Sequence, residues 1–124
     1  MLPHIYSPCS IREVFRLCCD VTSQPKKAFL KTLARHCTDQ ADREALMAFT
    51  TPAGRADYEA LIRTRPNLLE LLEAFPSAMP PLEALLDGLP ALMPRYYSVT
   101  SSPSVFPTCM HFAITIVDNE LPPW

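Results

Sequence analysis

Apolar residues recur at helical spacing, three and four positions apart, through most of the first 93 residues. Six segments carry this pattern, and proline-rich turns separate them. In one segment, 39–49, the apolar positions are less regular. The other five have clear apolar stripes: Ile11, Val14, Phe15, Cys18; Phe29, Leu30, Leu33, Ala34; Tyr58, Leu61, Ile62; Leu68, Leu71, Leu72, Phe75; Leu82, Leu85, Leu86, Leu89. The sequence therefore predicts six short helices whose apolar stripes form the core.

Polar and proline residues at the segment starts predict where these helices begin. Ser10 and Thr38 are predicted N-caps, because a hydroxyl there can accept a hydrogen bond from an orphan backbone N–H. Thr51 followed by Pro52 has the form of a cap and a first helical residue. Pro25 and Pro66 are expected to open two more helices, and Gly88 lies near the end of the last one.

At Pro94 the helical period disappears. RYYSVTS and HFAITIV are rich in aromatic and β-branched residues and read as two strands around a loop, SPSVFPT. We therefore predict an α+β fold, helical over 1–93 and stranded over 94–124. A hairpin alone is marginal and has unpaired edges. The strands are thus expected to begin a larger sheet, and the apolar surface at Phe112 and Ile116 to make the chain associate.

Residues 95–102 concentrate chemistry that suits a flat, phosphorylated ligand. In a strand, alternation puts Arg95, Tyr97, Val99 and Ser101 on one face, about 6.5 Å apart. A guanidinium matches phosphate oxygens, and a tyrosine ring offers a flat apolar face with a polar tip. The alternative from spacing alone, a surface arginine beside two tyrosines packed on helices, stays open.

Charge and composition exclude several classes of function. The net charge is −2 and the longest basic run is Lys26–Lys27, which argues against nucleic-acid binding. The apolar runs are shorter than the roughly 20 residues that span a bilayer, so no membrane association is expected. The N-terminus lacks the features of a signal peptide, and five cysteines without a CxxC pair fit a reducing compartment, so we predict a cytoplasmic protein.

Other candidate sites are weaker. His36 and Cys37 adjoin a predicted helix end, but no second ligand pair stands at useful spacing, so no metal site is predicted. Cys18 lies on an apolar stripe and is interpreted as a small buried hydrophobe. A hydrolase triad of Ser98, His111 and Asp118 would lack a nucleophile elbow around the serine.

The segment Arg95-Tyr96-Tyr97-Ser98, followed by Ser101-Ser102, resembles the R-x-Y-S-x-x-S-S signature of the flavin domain in the ferredoxin-NADP reductase superfamily. Residues 20–39, 68–98 and 109–118 are similar to successive stretches of diflavin reductases. The PKKAFL, AFPS-x-x-PPL and HF-strand segments resemble the methionine synthase reductase branch, with cytochrome P450 reductases more distant. The resemblance covers the chain from about Ser10 to Asp118.

The resemblance implies roles for the signature residues. Arg95 would contact the pyrophosphate of FAD, and Tyr97 would lie against the isoalloxazine ring. Ser98 would sit near the reactive edge of the flavin and assist hydride transfer from NADPH, which makes it the catalytic candidate. Tyr96 belongs to the same signature and counts with the other three among the cofactor-binding residues.

Four further positions match FAD-binding residues of the family. Ala113, Ile114 and Thr115 match the strand that passes the adenine end of FAD. Arg65, at the start of the leucine-rich helix, matches an arginine that touches FAD in P450 reductases. By resemblance, 1–93 would be a connecting domain, and 94–124 the first strands of an antiparallel FAD-binding barrel, incomplete here.

The chain also departs from the family pattern. No glycine follows Gly88, so the glycine-containing turn that supplies amides to the pyrophosphate is missing. No nicotinamide-nucleotide fingerprint is present, and no flavodoxin-like FMN module precedes residue 1. Asn119 replaces a common aromatic residue. FMN and NADPH sites are therefore expected to be absent, and the chain to be a middle part of a larger enzyme, inactive alone.

Two functional hypotheses follow. The first is the FAD-binding portion of an NADPH-dependent diflavin oxidoreductase that passes electrons through FAD and FMN to a cobalamin-dependent methionine synthase or another acceptor. The second is a truncated, non-catalytic helical interaction module. Retention of FAD, and its loss in Arg95→Ala or Tyr97→Ala, distinguishes them.

Overall fold

The computed structural model describes Ile5 and residues 8–116. Six α-helices, α1 to α6, lie within these residues, as the periodic pattern predicts. Their bounds are Ile11–Glu13, Lys27–Arg35, Gln40–Ala48, Arg55–Arg63, Leu68–Ala74 and Leu82–Gly88. None of the helices in this described part is long and apolar enough to cross a membrane.

Ser10 caps α1, which confirms the predicted start of this helix. The N–H of Glu13 donates to Oγ of Ser10 at 3.3 Å, and the N–H of Ser10 donates to Oε2 of Glu13 at 2.8 Å. This reciprocal pair satisfies two backbone donors at a helix start. Hydrogen bonds from the backbone and the hydroxyl of Ser10 hold the pKa of the Glu13 carboxyl below its usual value.

A π-helical turn, Val14–Cys18, continues α1 and changes which side chains reach the core. The N–H of Cys19 donates to the carbonyl of Val14 at 3.1 Å, the wider bond of a π turn. The extra residue turns Cys19 inward, leaving it 2% exposed, whereas Cys18 is only half-buried and Ile11 is exposed. Cys18, interpreted as a small buried hydrophobe, is thus only partly buried against the core, and Cys19 is the fully buried one of the two. Burial raises the pKa of the Cys19 thiol.

Helix α2 is the centre of the core and packs against α3 and α6. Its four predicted stripe residues are all buried: Phe29, Leu30, Leu33 and Ala34. Buried apolar residues of the other elements complete the cluster: Val14, Cys19, Cys37, Leu46, Leu61, Leu68, Leu71, Ala78 and Leu89. Tyr58 of α4 fixes the start of α2, because its hydroxyl donates to the carbonyl of Pro25 at 3.1 Å.

The starts of α3 and α4 differ from the sequence-based prediction. Asp39, not Thr38, caps α3, and its carboxylate accepts from the N–H groups of Ala41 and Asp42. A carboxylate is favoured there because it also complements the positive end of the helix dipole. Helix α4 begins only after Gly54. The Thr51 hydroxyl donates to the carbonyl of Ala48 at 2.8 Å and accepts from the N–H of Gly54 at 3.1 Å, so it holds the turn between α3 and α4.

Helix α5 follows Pro66, as predicted, and its cap is Asn67. The side chain of Asn67 accepts from the N–H of Glu70 at 3.0 Å, and the Glu70 carboxylate accepts from the N–H of Asn67 at 2.8 Å. Helix α6 ends at Gly88, which agrees with the predicted position of that glycine.

The segment after α6 runs antiparallel to the segment after the π turn. The N–H of Asp20 donates to the carbonyl of Pro90 at 2.9 Å, and the N–H of Leu92 donates to the carbonyl of Cys18 at 2.8 Å. Cys19 and Ala91 form the bridge between these bonds. This pairing attaches the chain just before Pro94 to the helical core and so fixes where the next segment starts.

The two predicted strands are not formed as strands in the described residues. Segments 94–101 and 109–116 contain no strand, and a single antiparallel bridge, Val99–Phe112, joins them. Nearly every side chain in these segments is exposed, so little apolar burial supports a ladder. A two-stranded ribbon without a packed face is marginal in water, which explains the isolated bridge. The end of the second predicted strand, Val117, lies outside the described residues.

Candidate functional site

The four signature residues lie in irregular, solvent-exposed chain just after the Cys19–Ala91 pairing. Tyr96 is 93% exposed and Tyr97 49%, and Arg95 and Ser98 are exposed as well. Within the described residues, none of the four side chains makes a hydrogen bond. The alternative in which both tyrosines pack on the helices is therefore wrong for Tyr96.

Arg95 is also free of a carboxylate partner in the described part of the chain, where the ion pair found is Arg55–Glu59 at 2.9 Å. That surface pair raises the pKa of Arg55 and lowers that of Glu59, first through their mutual hydrogen bond. The guanidinium of Arg95, by contrast, forms no hydrogen bond or ion pair with any of the residues that the structure describes. Such a group is available to a phosphate or another anion.

The signature segment and the 109–116 segment meet at the Val99–Phe112 bridge. Next to it, both the N–H and the hydroxyl of Thr100 donate to the carbonyl of His111, at 2.9 and 3.0 Å. These bonds mark 100–111 as a hydrogen-bonded pair and Val99–Phe112 as the adjacent non-hydrogen-bonded pair. The two predicted cofactor-binding stretches therefore start from a common point.

Ser101 makes the other contacts across the two segments. Its hydroxyl accepts from the N–H of His111 at 3.1 Å and donates to the carbonyl of Cys109 at 3.5 Å. A serine hydroxyl that takes a backbone donor in this way replaces a ladder hydrogen bond. We call Thr100 and Ser101, with their bonds to 109–111, the hydroxyl clamp.

A compact loop joins the two segments beyond the clamp. The carbonyl of Ser102 accepts from the N–H of Val105 at 3.1 Å and from that of Phe106 at 2.8 Å. The rings of Phe106 and His111 lie 4.5 Å apart, centre to centre, and are tilted by 52°. The loop is therefore folded back on the clamp, and an open groove lies between the loop and Val99.

The bridge implies a register for the rest of the two segments. In an antiparallel pair, each step back along one strand is a step forward along the other. Extension from Val99–Phe112 would therefore put Ser98 opposite Ala113 and Tyr97 opposite Ile114. In the same register, Tyr96 would face Thr115. In this register, every predicted cofactor-binding residue except Arg65 would belong to one of two facing stretches on one side of the clamp.

Arg65 lies elsewhere, in the turn between α4 and α5. It is exposed and has φ of 49°, the left-handed region that glycine favours. Its N–H donates to the carbonyl of Ile62 at 3.1 Å, so it closes the end of α4 as the residue after the C-cap. Within the described residues, no hydrogen bond joins Arg65 to segment 94–101 or to segment 109–116.

The weaker candidates gain nothing from the structure. Among the described residues, no group of three or more His, Cys, Asp or Glu side chains could hold a metal ion. Cys37 is buried, and its thiol donates to the carbonyl of Leu33. Asp118 of the hypothetical triad lies outside the described residues.

Sequence reasoning missed the role of Thr100 and His111. Both were placed on predicted strands but not among the site residues, although they hold the two stretches together. The available signal was a pair of hydroxyl residues at the end of one predicted strand, just before a proline-containing loop. Such residues often bond to nearby backbone groups in turns.

A helical unit that presents an exposed arginine, two exposed tyrosines and a serine defines a candidate nucleotide-cofactor-binding protein. Comparison with known families makes this specific: the model of the family described as "FAD binding domain" matches residues 2–122. The chain belongs to this FAD binding domain family.

Curated relatives agree with the family. The chain is 41% identical over 116 residues to methionine synthase reductase of Homo sapiens, covering 93% of the chain and 17% of the relative. It is 38% identical over 106 residues to NADPH–cytochrome P450 reductase of Musca domestica, covering 83% of the chain and 16% of the relative. It is 38% identical over 110 residues to inducible nitric oxide synthase of Mus musculus, covering 89% and 9%. The chain thus spans less than a fifth of the length of each.

Proposed function

We propose that residues 95–98 and 113–115 form one side of an FAD site in an NADPH-dependent diflavin oxidoreductase. The observation that supports this most directly is the Val99–Phe112 bridge, because its register would set the two stretches against each other. Residues 95–98 supply the anion-binding group, and residues 113–115 supply the neighbouring backbone segment. Together they offer a guanidinium, a phenol ring, a hydroxyl and extended backbone.

The side chains present fit the chemistry of FAD. The exposed guanidinium of Arg95 has no protein partner among the described residues and suits the pyrophosphate, which needs a planar fork of donors. The half-exposed ring of Tyr97 has a free face for a flat heterocycle. Tyr96 is almost fully exposed and would contribute to the same site only after a ligand or further protein covers it.

Ser98 is the proposed catalytic residue. The chemistry that FAD supplies when bound is uptake of a hydride and release of single electrons, while the protein orients the reacting groups. The hydroxyl of Ser98 is exposed and is not bonded to any described group, so it is available to hold a proton or orient a partner at the ring edge. In strand alternation it points away from Tyr97, so it would act from the opposite face of the segment.

The proposal also covers Arg65 and the division of the chain into two parts at residue 93. The guanidinium of Arg65 would contact FAD from the α4–α5 turn, and its left-handed backbone is the kind of strain that functional sites hold. Residues 1–93 would act as a connecting domain, and 94–124 as the start of an antiparallel barrel. Further barrel strands would cover the exposed hairpin.

The electron partners are proposed from the relatives. FMN and NADPH would serve the whole enzyme at sites outside this chain, and the compartment would be the cytoplasm. Methionine synthase is the acceptor suggested by the name of the human relative, whereas the fly relative is named for cytochrome P450. An isolated chain of 124 residues is expected to bind flavin without catalysing electron transfer.

The test is an FAD titration of residues 1–124, followed by flavin fluorescence. Arg95→Ala is expected to raise Kd about tenfold or more, because a hydrogen bond to a charged group contributes about 1.5–3 kcal/mol. Tyr97→Ala should weaken binding as well. Arg35→Ala, which removes an exposed arginine from α2, is the matched control and should leave Kd unchanged.

Two results would count against the proposal. Equal affinity in Arg95→Ala and Arg35→Ala would mean that the signature arginine does not bind the flavin. Absence of saturable binding by the folded wild-type chain would favour the second hypothesis, a non-catalytic helical interaction module.

A further inference from the structure

The register of the two hairpin segments is not determined by burial. A strand is normally held in register because a slip of one residue would move its apolar face from the core to solvent. Here almost all side chains of 95–100 and 109–116 are exposed, so a slip changes little apolar burial. Some other interaction must therefore select the Val99–Phe112 pairing.

The hydroxyl clamp is the interaction in the described residues that distinguishes one register from another. It lies directly beside the Val99–Phe112 bridge and bonds to two residues of the opposite segment, Cys109 and His111. The hydroxyl of Ser101 pairs with the N–H of His111 and the carbonyl of Cys109, two groups that are two residues apart. A one-residue slip would break both bonds.

Within the clamp, the Ser101 side chain contributes more than that of Thr100. The N–H of Thr100 already donates to the carbonyl of His111, and any residue except proline would retain this bond. The Thr100 hydroxyl only adds a second donor to the same oxygen. The Ser101 hydroxyl, in contrast, is itself the acceptor for the N–H of His111.

We infer that Ser101 is a positioning residue that sets the register in which 95–98 faces 113–115. This inference rests on the proposed function, because the register determines which groups meet at the proposed FAD site. A slip of one residue would turn the side chains of 113–115 to the other face. Ser101 thus acts on the flavin site through the backbone of His111 and does not touch the flavin.

The test uses NMR of the full chain and does not need flavin. In the wild-type chain, the α protons of Val99 and Phe112 should give a strong cross-strand signal, since Cα atoms of such a pair are about 4.5 Å apart. Ser101→Ala should remove most of this signal and speed exchange of the His111 amide about fivefold. Ser101→Thr keeps a hydroxyl and should restore both.

Ser104→Ala is the matched control. Its hydroxyl bonds only to that of Ser102 within the loop, so the Val99–Phe112 signal and His111 exchange should not change. An unchanged cross-strand signal in Ser101→Ala would overturn the inference, as would equal effects of Ser101→Ala and Ser104→Ala. Thermal unfolding of the helical core should be the same in all variants, since the clamp lies outside it.

An FAD titration of the same variants separates this inference from the proposed function. If the wild-type chain binds FAD, Ser101→Ala should raise Kd about fivefold while Ser101→Thr and Ser104→Ala match wild type. Equal Kd in Ser101→Ala and wild type would overturn the positioning role even if the register signal changes. If the wild-type chain does not bind FAD, the proposed function and the positioning role both fall, and the register role is decided by the NMR result.

Discussion

The ring of Phe29, in the first turn of α2, lies directly against the backbone of Gly88 at the end of α6. A Cβ built at position 88 would overlap this ring and come within 2.6 Å of its Cε2 atom. Phe29 is buried at the centre of the core, where α2 and α6 pack together. A glycine is therefore required here because the Phe29 ring occupies the space of a Cβ. Backbone conformation is not the reason, since the φ of Gly88 is not positive.

Gly88→Ala is expected to lower the free energy of unfolding by about 1–3 kcal/mol, because the ring has to leave its position in a packed core. Urea denaturation followed by circular dichroism measures this. Asp87→Ala, at the exposed neighbouring position, should change stability by no more than about 0.5 kcal/mol. Adding Phe29→Leu to Gly88→Ala should cost less than the sum of the two single changes, and full additivity would contradict the contact.

Arg65→Gly is expected to stabilise the fold and weaken flavin binding at once. A non-glycine residue at φ of 49° is strained, and glycine is the usual residue after a helix C-cap. Release of that strain should raise the free energy of unfolding by about 1 kcal/mol. Thermal unfolding and FAD titration of the same variant give the two measurements.

Arg65→Ala separates the backbone from the side chain. This variant keeps the strained backbone and loses the guanidinium, so its stability should stay near that of wild type while its FAD affinity falls. Wild-type affinity in both variants would remove Arg65 from the proposed site.

The capping box of Ser10 and Glu13 predicts a pH dependence of stability. Because the pKa of Glu13 is lowered in the folded chain from a usual value of 4.5, its contribution is present above that value. It is lost as the pH falls through the lowered pKa, when the carboxyl takes a proton and becomes a poorer acceptor. Glu13→Gln should therefore reduce Tm at pH 7 and reduce it by less at pH 3. An equal loss of Tm at both pH values would contradict the prediction. Glu59 also has a lowered pKa, but its contribution is the same in wild type and variant and cancels in their difference.

The helices were predictable because their signal is local and repeated. The stripe of α2, the Ser10 cap and the end of α6 at Gly88 each follow from residues within a few positions of one another. The errors occur at two helix starts, where more than one polar side chain can bond to the nearby backbone. Asp39 caps α3 in place of Thr38, and the Thr51 hydroxyl holds the turn before α4 by bonding to both Ala48 and Gly54. The periodic pattern also gave no sign of the π turn, which places Cys19 rather than Cys18 at the fully buried position.

The candidate site was predictable in its residues but not in its arrangement. The Arg95–Ser98 motif is contiguous, so its chemistry and the resemblance it carries are visible in one short stretch. The clamp joins residues on either side of a loop, and its bonds run from hydroxyls to backbone atoms, which have no residue-type signature. Strand pattern alone predicted a hairpin, whereas one isolated bridge forms, because a ladder needs a packed face that these exposed side chains do not provide.

Apolar side chains on the 109–116 segment should make the chain associate. Ile116 is 89% exposed and Phe112 47%, and the unpaired backbone of the segment can pair with another copy. Sedimentation velocity over a range of protein concentrations should show reversible association. Ile116→Lys should raise the dissociation constant of this self-association about tenfold or more, because burial of one large aliphatic side chain contributes about 1.5–3 kcal/mol. Leu17→Lys changes an exposed apolar residue on the π turn and should have little effect. A wild-type chain that stays monomeric at all concentrations, or equal effects of the two substitutions, would show that this segment does not drive association.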